Sequence, residues 1–210
     1  MTKRGNDKEG NDNEGNDKRV GEAAVATKAA VKTAEKRKFA GKIHEVVKWP
    51  DPVLAKRGAE VTEFDGELAT LIEEMFESMY AAQGIGLAAP QIAISKRITV
   101  IDVSFGKDEA QKYALINPVV VSAEGKQVEE EGCLSLPEIR EKVQRAERVK
   151  VRAQNVKGEW FEVEGTELLA RALLHEIDHL DGILFIDRIS RLKRELVLRK
   201  IKKMQRNGEW

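Results

Sequence analysis

Two histidines four residues apart, the first followed directly by a glutamate, are the feature of this sequence that bears most on chemistry: His175-Glu176-Ile177-Asp178-His179. Residues i and i+4 of a helix share a face, so both imidazoles reach one ion. Glu176 then stands beside the open position of that ion, where a carboxylate can handle the proton of a water without being a ligand. The chain has three histidines and two of them fall in this pattern, which argues against coincidence. The competing reading is two polar groups on the solvated edge of an amphipathic helix. The chemistry indicated is metal-dependent hydrolysis.

A catalytic ion of this type takes three protein ligands and keeps one position for water. In the pattern HExxHxxGxxH, Gly182 is present but Phe185 stands where the third histidine belongs. A downstream helical glutamate is another solution. Glu195 lies at a tolerable separation, but in a Lys/Arg-rich segment without a supporting motif. The single cysteine remains, Cys133, within Glu130-Glu131-Gly132-Cys133-Leu134-Ser135-Leu136-Pro137. A lone cysteine is ordinarily a small buried hydrophobe. Beside two imidazoles its thiolate completes a tetrahedral site with a fourth position for water. Ligand softness admits Zn(II), Fe(II), Co(II) or Ni(II) alike. Gly132 allows close backbone approach, and Pro137 is expected to end the segment.

The third unusual stretch is Gln83-Gly84-Ile85-Gly86-Leu87-Ala88-Ala89-Pro90-Gln91. It satisfies GxGxxA, with Asp102 following an apolar run, which is a dinucleotide fingerprint on paper. A helical pattern precedes it rather than a strand, and Pro90 interrupts the helix that should open there, so no nucleotide cofactor is expected. The bland reading is a helix end and turn. That leaves Gln91, whose side-chain amide can donate to a developing oxyanion.

The elements that position these residues follow from periodicity. Asp65 reads as an N-cap before Leu68, Leu71, Ile72, Met75, Phe76 and Met79, a helix ending near Gln83-Gly84. Strand-like runs cover 98–103, 113–121, 149–153 and 160–163, with Val156-Lys157-Gly158-Glu159 as a hairpin turn. A second helix is expected over 166–180, carrying both histidines, and a third over 190–204. The order predicts an α+β fold, a largely antiparallel sheet around a central metal-binding helix with a C-terminal helix.

Composition bounds the rest. The chain has 210 residues, zero formal net charge, 41% hydrophobic and 34% charged residues. No apolar run is long enough to span a membrane. One cysteine precludes an intrachain disulfide and suits a reducing cytoplasm. Residues 1–19 repeat Gly-Asn-Asp without an apolar residue after Met1, and 20–40 are rich in Ala and Lys. We expect 1–40 to be a disordered tail, 41–188 a catalytic domain and 189–210 a basic amphipathic helix. Acidic residues throughout the tail argue against a transit peptide.

Taken together, the three stretches resemble peptide deformylase. That family is marked by GxGLAAxQ, EGCLSxP and HExDH in this order. The matching residues are Gly84–Gln91, Glu131–Pro137 and His175–His179, and the similarity spans roughly 43–188. The resemblance implies removal of the formyl group from N-terminal formyl-methionine of new polypeptides in a bacterial-type cytoplasm. It implies Cys133, His175 and His179 as ligands of one divalent ion, usually Fe(II). Glu176 is then general base and acid, and Gln91 with the backbone N–H of Leu134 stabilises the oxyanion. Gly84, Ile85, Gly86 and Leu134 border the substrate. Leu174 and Arg171 are departures or variants, Arg171 being expected on the pocket wall. Two readings compete: another Cys/His/His metalloamidase or metalloprotease, and a structural metal-binding module.

The last expectation concerns residues 188–206, which hold nine Lys/Arg against Glu195. Leu192, Leu196, Val197, Ile201 and Met204 supply an apolar stripe. The plain reading is a packed terminal helix with a solvated basic face. The alternative is contact with the ribosome.

Overall fold

Residues 41–210 are described by the structure, a computed structural model. The expected tail over 1–40 lies outside them.

The fold is α+β. Strand β1 (Gly86–Ala88), β2 (Ile98–Asp102), β3 (Lys112–Glu124), β6 (Arg148–Gln154) and β7 (Trp160–Thr166) form an antiparallel five-stranded sheet in the order β1-β2-β3-β6-β7. β4 (Gln127–Cys133) and β5 (Leu136–Arg145) form a separate two-stranded hairpin. The helices are α1 (Gly66–Ala81), α2 (Glu167–Leu180) and α3 (Arg191–Asn207).

The sheet is covered on both faces, and β2 shows why. Its residues Ile98 and Val100 join the cluster built around Leu68, Ile72, Met75 and Met79 of α1. Ile101, on the opposite face, joins Ala170, Leu173 and Ile177 of α2. Successive side chains of a strand point to opposite faces, so a strand between two helices is buried on both, and its polar Thr99 and Asp102 are hydrogen-bonded, to Leu87 O and to Tyr80. All of Ile98–Asp102 is buried accordingly. α2 is thereby seated against the sheet, and its other side is left for chemistry.

Local sequence sets the helix ends. The Asp65 carboxylate accepts from the Leu68 N–H at 3.0 Å, the expected cap of α1. Asp65→Ala should cost about 1 kcal/mol of stability. A chemical denaturation midpoint that does not move would reject the cap. At the other end Gln83, not a glycine, takes the left-handed conformation (φ 58°), and the Gly84 N–H returns to Met79 O at 2.9 Å. The turn between β6 and β7 is held by Asn155, whose side chain accepts from the N–H groups of Lys157 and Glu159.

Two local expectations are corrected, and one element is new. The glycine stretch is not only a turn: Gly86–Ala88 pairs with β2 as the edge strand β1. Pro137 does not end its segment but is the second residue of β5. The β4–β5 hairpin had no sequence signal of its own. β4 is mostly exposed and acidic, and β5 places Leu136, Ile139 and Val143 in the core at uneven spacing. The register shifts between Gly132 and Cys133, and Glu138 has φ 60°. A bulge of this kind breaks the two-residue alternation by which strands are read.

α3 packs Val197, Ile201 and Met204 against Leu136, Ile139, Val143 and Phe185. Leu192 and Leu196, expected on the same stripe, are exposed instead.

Candidate metal centre

His175 and His179 lie one turn apart on α2, with ring centroids 5.0 Å apart. Cys133, the last residue of β4, meets them from the hairpin: its Sγ is 3.2 Å from Nε2 of His179. One donor atom from each of the three residues lies within 4.8 Å of the others. Ion–ligand distances of about 2.3 Å to sulfur and 2.0–2.1 Å to nitrogen require donors spaced in this range. Among the described residues this is the metal-competent group found, and it offers three ligands, not four. His44 is remote from it, hydrogen-bonded to Glu74 on α1 at 2.8 Å.

The electrostatics favour a cation. Burial lowers the pKa of His175, but hydrogen bonds to Cys133 and Glu131 outweigh it and push the group up to about 10. Neighbours that hold a proton so tightly hold a divalent ion by the same attraction. Burial, with the charges of His175 and Arg145, keeps His179 well below its ordinary value, so its ring stays neutral and fit to ligate. Glu131 Oε2 sits 3.1 Å from Nδ1 of His175. That contact engages Nδ1 and leaves Nε2 for an ion, a carboxylate–histidine pairing common at metal sites. The donor set and its spacing therefore fit one tetrahedral ion.

Glu176 faces the same space. It is 4% exposed, its Oε2 has no hydrogen-bond partner among the described residues, and burial pushes its pKa up to about 7. Beside it runs β1. A Cβ on Gly86 would lie 2.4 Å from Oε1 of Glu176, so only glycine leaves room for the carboxylate. A Cβ on Gly84 would lie 2.9 Å from Cδ1 of Leu134, which brings the glycine strand against the turn after Cys133. Ile85 packs partly buried on the α2 cluster.

Gln91 lies in a short 3₁₀ turn, Ala89–Ile92, and is 1% exposed. Its Oε1 accepts from the Ala88 N–H at 2.9 Å, which orients the amide. Its Nε2 then donates to Ser135 Oγ at 3.3 Å and faces Cys133 Sγ at 3.6 Å. Leu134 and Ser135 form the two-residue connection between Cys133 and Leu136.

Around these residues lies a buried ionic network with no counterpart in the sequence reading. Glu131 receives Arg145 through two nitrogens and Arg171 Nη1 at 2.6 Å. The Arg145 and His175 contacts outweigh the burial that opposes ionisation and hold Glu131 down at about 2. Asp178 receives Arg145 and Arg188. Arg171 is thus not a pocket wall: its guanidinium turns to Glu131 and to Val143 O. Arg145 lies outside every motif, so only the paired carboxylates in space reveal it.

The sequence model of the polypeptide deformylase family matches residues 43–195. A peptide deformylase of Acidobacterium capsulatum is 67% identical over 168 residues, covering 80% of this chain and 99% of that protein. One from Heliobacterium modesticaldum is 52% identical over 147 residues, covering 70% and 94%. Among solved structures, a peptide deformylase from Legionella pneumophila superposes with TM-score 0.74 at 46% identity, covering 80% and 98%. A plant peptide deformylase gives TM-score 0.75 at 31% identity, covering 82% and 95%.

Proposed function

The chain belongs to the polypeptide deformylase family, and from that premise we propose how its own residues carry out the reaction. It is a metal-dependent hydrolase that removes the formyl group from N-terminal formyl-methionine of newly synthesised proteins and releases formate. The observation that best supports our residue assignment is the convergence of Cys133, His175 and His179 beside the unpartnered Oε2 of Glu176.

We assign the three as ligands of one divalent ion, Fe(II) by preference, with Zn(II), Ni(II) and Co(II) as alternatives. When bound, such an ion polarises a carbonyl and lets water ionise near neutral pH. Glu176 takes the proton of the attacking water and returns it to the departing amine of methionine. The Gln91 amide and the Leu134 N–H donate to the oxygen on which negative charge develops. Gly84, Ile85, Gly86 and Leu134 border the substrate. The narrow space beside the two glycines favours a formyl carbon, which carries a hydrogen where larger acyl groups carry carbon. Equal turnover of formyl- and acetyl-peptides would remove that last point. We assign catalysis to residues 41–188.

Ser135→Ala removes one of the contacts that hold the Gln91 amide. Loss of one such hydrogen bond predicts a fall in kcat of up to about tenfold, with KM little changed. A rise in KM at constant kcat would place Gln91 in ground-state binding instead.

The function is tested by formate release from a formyl-Met-Ala peptide by anaerobically purified protein, with internal peptide bonds left intact. Cleavage of internal bonds without formate release would favour another metalloamidase or metalloprotease. A structural metal module needs a closed coordination shell, which the three-residue group does not supply.

We also propose that the basic face of α3 contacts the ribosome. Arg191, Lys193, Arg199, Lys200, Lys202, Lys203 and Arg206 are all exposed on it. Co-sedimentation at low salt that survives deletion of 190–210 would reject this. No helix among the described residues is long and apolar enough to cross a membrane. We place the enzyme in the cytoplasm, where nascent chains are met.

A further inference from the structure

We propose that Arg145 is a positioning residue of the metal centre, holding the thiolate-bearing strand and the imidazole-bearing helix in one geometry. The inference rests on the assignment of Cys133, His175 and His179 as ligands.

The need for such a residue follows from topology. Cys133 ends β4, and among the described residues β4 pairs only with β5, not with the main sheet that seats α2. No backbone ladder therefore sets the distance between Cys133 and the two histidines. Side chains must set it.

Arg145 is the last residue of β5, and its side chain is 5% exposed. Its Nε and Nη2 donate to the two carboxylate oxygens of Glu131 at 2.9 and 3.0 Å. Its Nη1 donates to Oδ2 of Asp178 at 2.5 Å. Glu131 lies two residues before Cys133 on β4 and also meets His175 Nδ1 at 3.1 Å. Asp178 lies between His175 and His179 on α2. One guanidinium thus fastens the strand of one ligand to the helix of the other two. Further cations complete the arrangement: Arg171 on Glu131 at 2.6 Å, and Arg188 on Asp178 at 2.5 Å.

Chemistry selects arginine for this place. Its planar fork grips one carboxylate with two N–H groups and still offers a third to another. A lysine ammonium keeps the charge but is a point donor on a flexible stem, and it cannot hold both carboxylates in fixed orientation.

The test compares Arg145→Lys with Arg97→Lys in the full chain. Arg97 is a similarly buried arginine at the C-terminal end of α2, where it holds Leu180 O and Asp181 and leaves Glu131 and Asp178 to Arg145. Each protein is loaded with Co(II), and the ion is titrated away with a chromophoric chelator. Melting of the metal-free protein is followed in parallel. Arg145→Lys should bind Co(II) about 10- to 100-fold more weakly and change its thiolate-to-cobalt absorption. Arg97→Lys should lower the melting temperature and leave the cobalt affinity and spectrum as they were.

Equal cobalt affinity and spectrum in Arg145→Lys and the unsubstituted protein overturn the proposal. So does an equal loss of affinity in both variants, which marks general loosening of α2. Failure of the unsubstituted protein to bind Co(II) overturns the ligand assignment and the proposal with it. Should Arg145→Lys not fold, Glu131→Gln serves in its place. It keeps the volume and removes the charge that gathers Arg145 and His175, and unchanged affinity there is equally fatal.

Discussion

Glu176→Gln should lower kcat for deformylation by on the order of 10³-fold while metal content stays as it is, within the span usual for a positioned acid–base group. The amide keeps the size and shape of the carboxylate but cannot take up a proton. Glu176 is well placed for that work. It is buried, its Oε2 faces no partner among the described residues, and burial brings its pKa to about 7. A group that ionises near the working pH can both accept a proton and return it. It is not one of the three clustered donors, so its loss should leave the ion bound. Formate release and metal content are measured on the same preparation. A variant within tenfold of the unsubstituted kcat would remove Glu176 from the proton transfers. Loss of the ion would instead give it a part in holding the metal.

Gly86→Ala is expected to approach the same loss from the opposite wall. The added methyl would sit 2.4 Å from Oε1, 2.8 Å from Cδ and 2.9 Å from Cγ of Glu176, so something must move. The backbone has little freedom to retreat, because Gly86 pairs with Ile101 in the sheet and Leu87 beneath it is fully buried. The carboxylate is what shifts. Misplacing a reacting group by about 1 Å costs on the order of 10²-fold. The ligands are untouched, so the ion should stay bound. Normal turnover in Gly86→Ala would show that Glu176 acts from another rotamer than the one described.

The two substitutions test one carboxylate from different sources of information. Glu176 was legible because a single helix carries it with both histidines, and helical spacing alone predicts a shared face. Gly86 was legible as unusual but not for its reason. Its contact, Glu176, lies far along the chain, and no local pattern reports a clearance between a strand and a helix. Gln91 falls between the two cases. Its amide was visible as a donor, but one of the contacts that orient it, to Ser135, forms only after β4 and β5 turn at Leu134-Ser135, while the one to Ala88 is local.

The helices α1 to α3, the cap at Asp65 and the β6–β7 turn were readable because they answer to interactions within a few residues. The β4–β5 hairpin was not. Its strands are charged and largely exposed, its alternation is broken by a bulge, and its ionic contacts with α2 join residues remote in the chain. Arg171 shows the same limit from the other side: its position one turn before His175 was plain, but the partner it turns to was not. By itself the sequence determined the donor types, the helix that carries two of them and the order of the elements, because each depends on side-chain identity and local periodicity. Only the tertiary structure decided how Cys133 reaches that helix and why residue 86 is glycine. It also placed Arg145 between Glu131 of the strand and Asp178 of the helix, because each of these depends on contacts between segments that are remote in the chain.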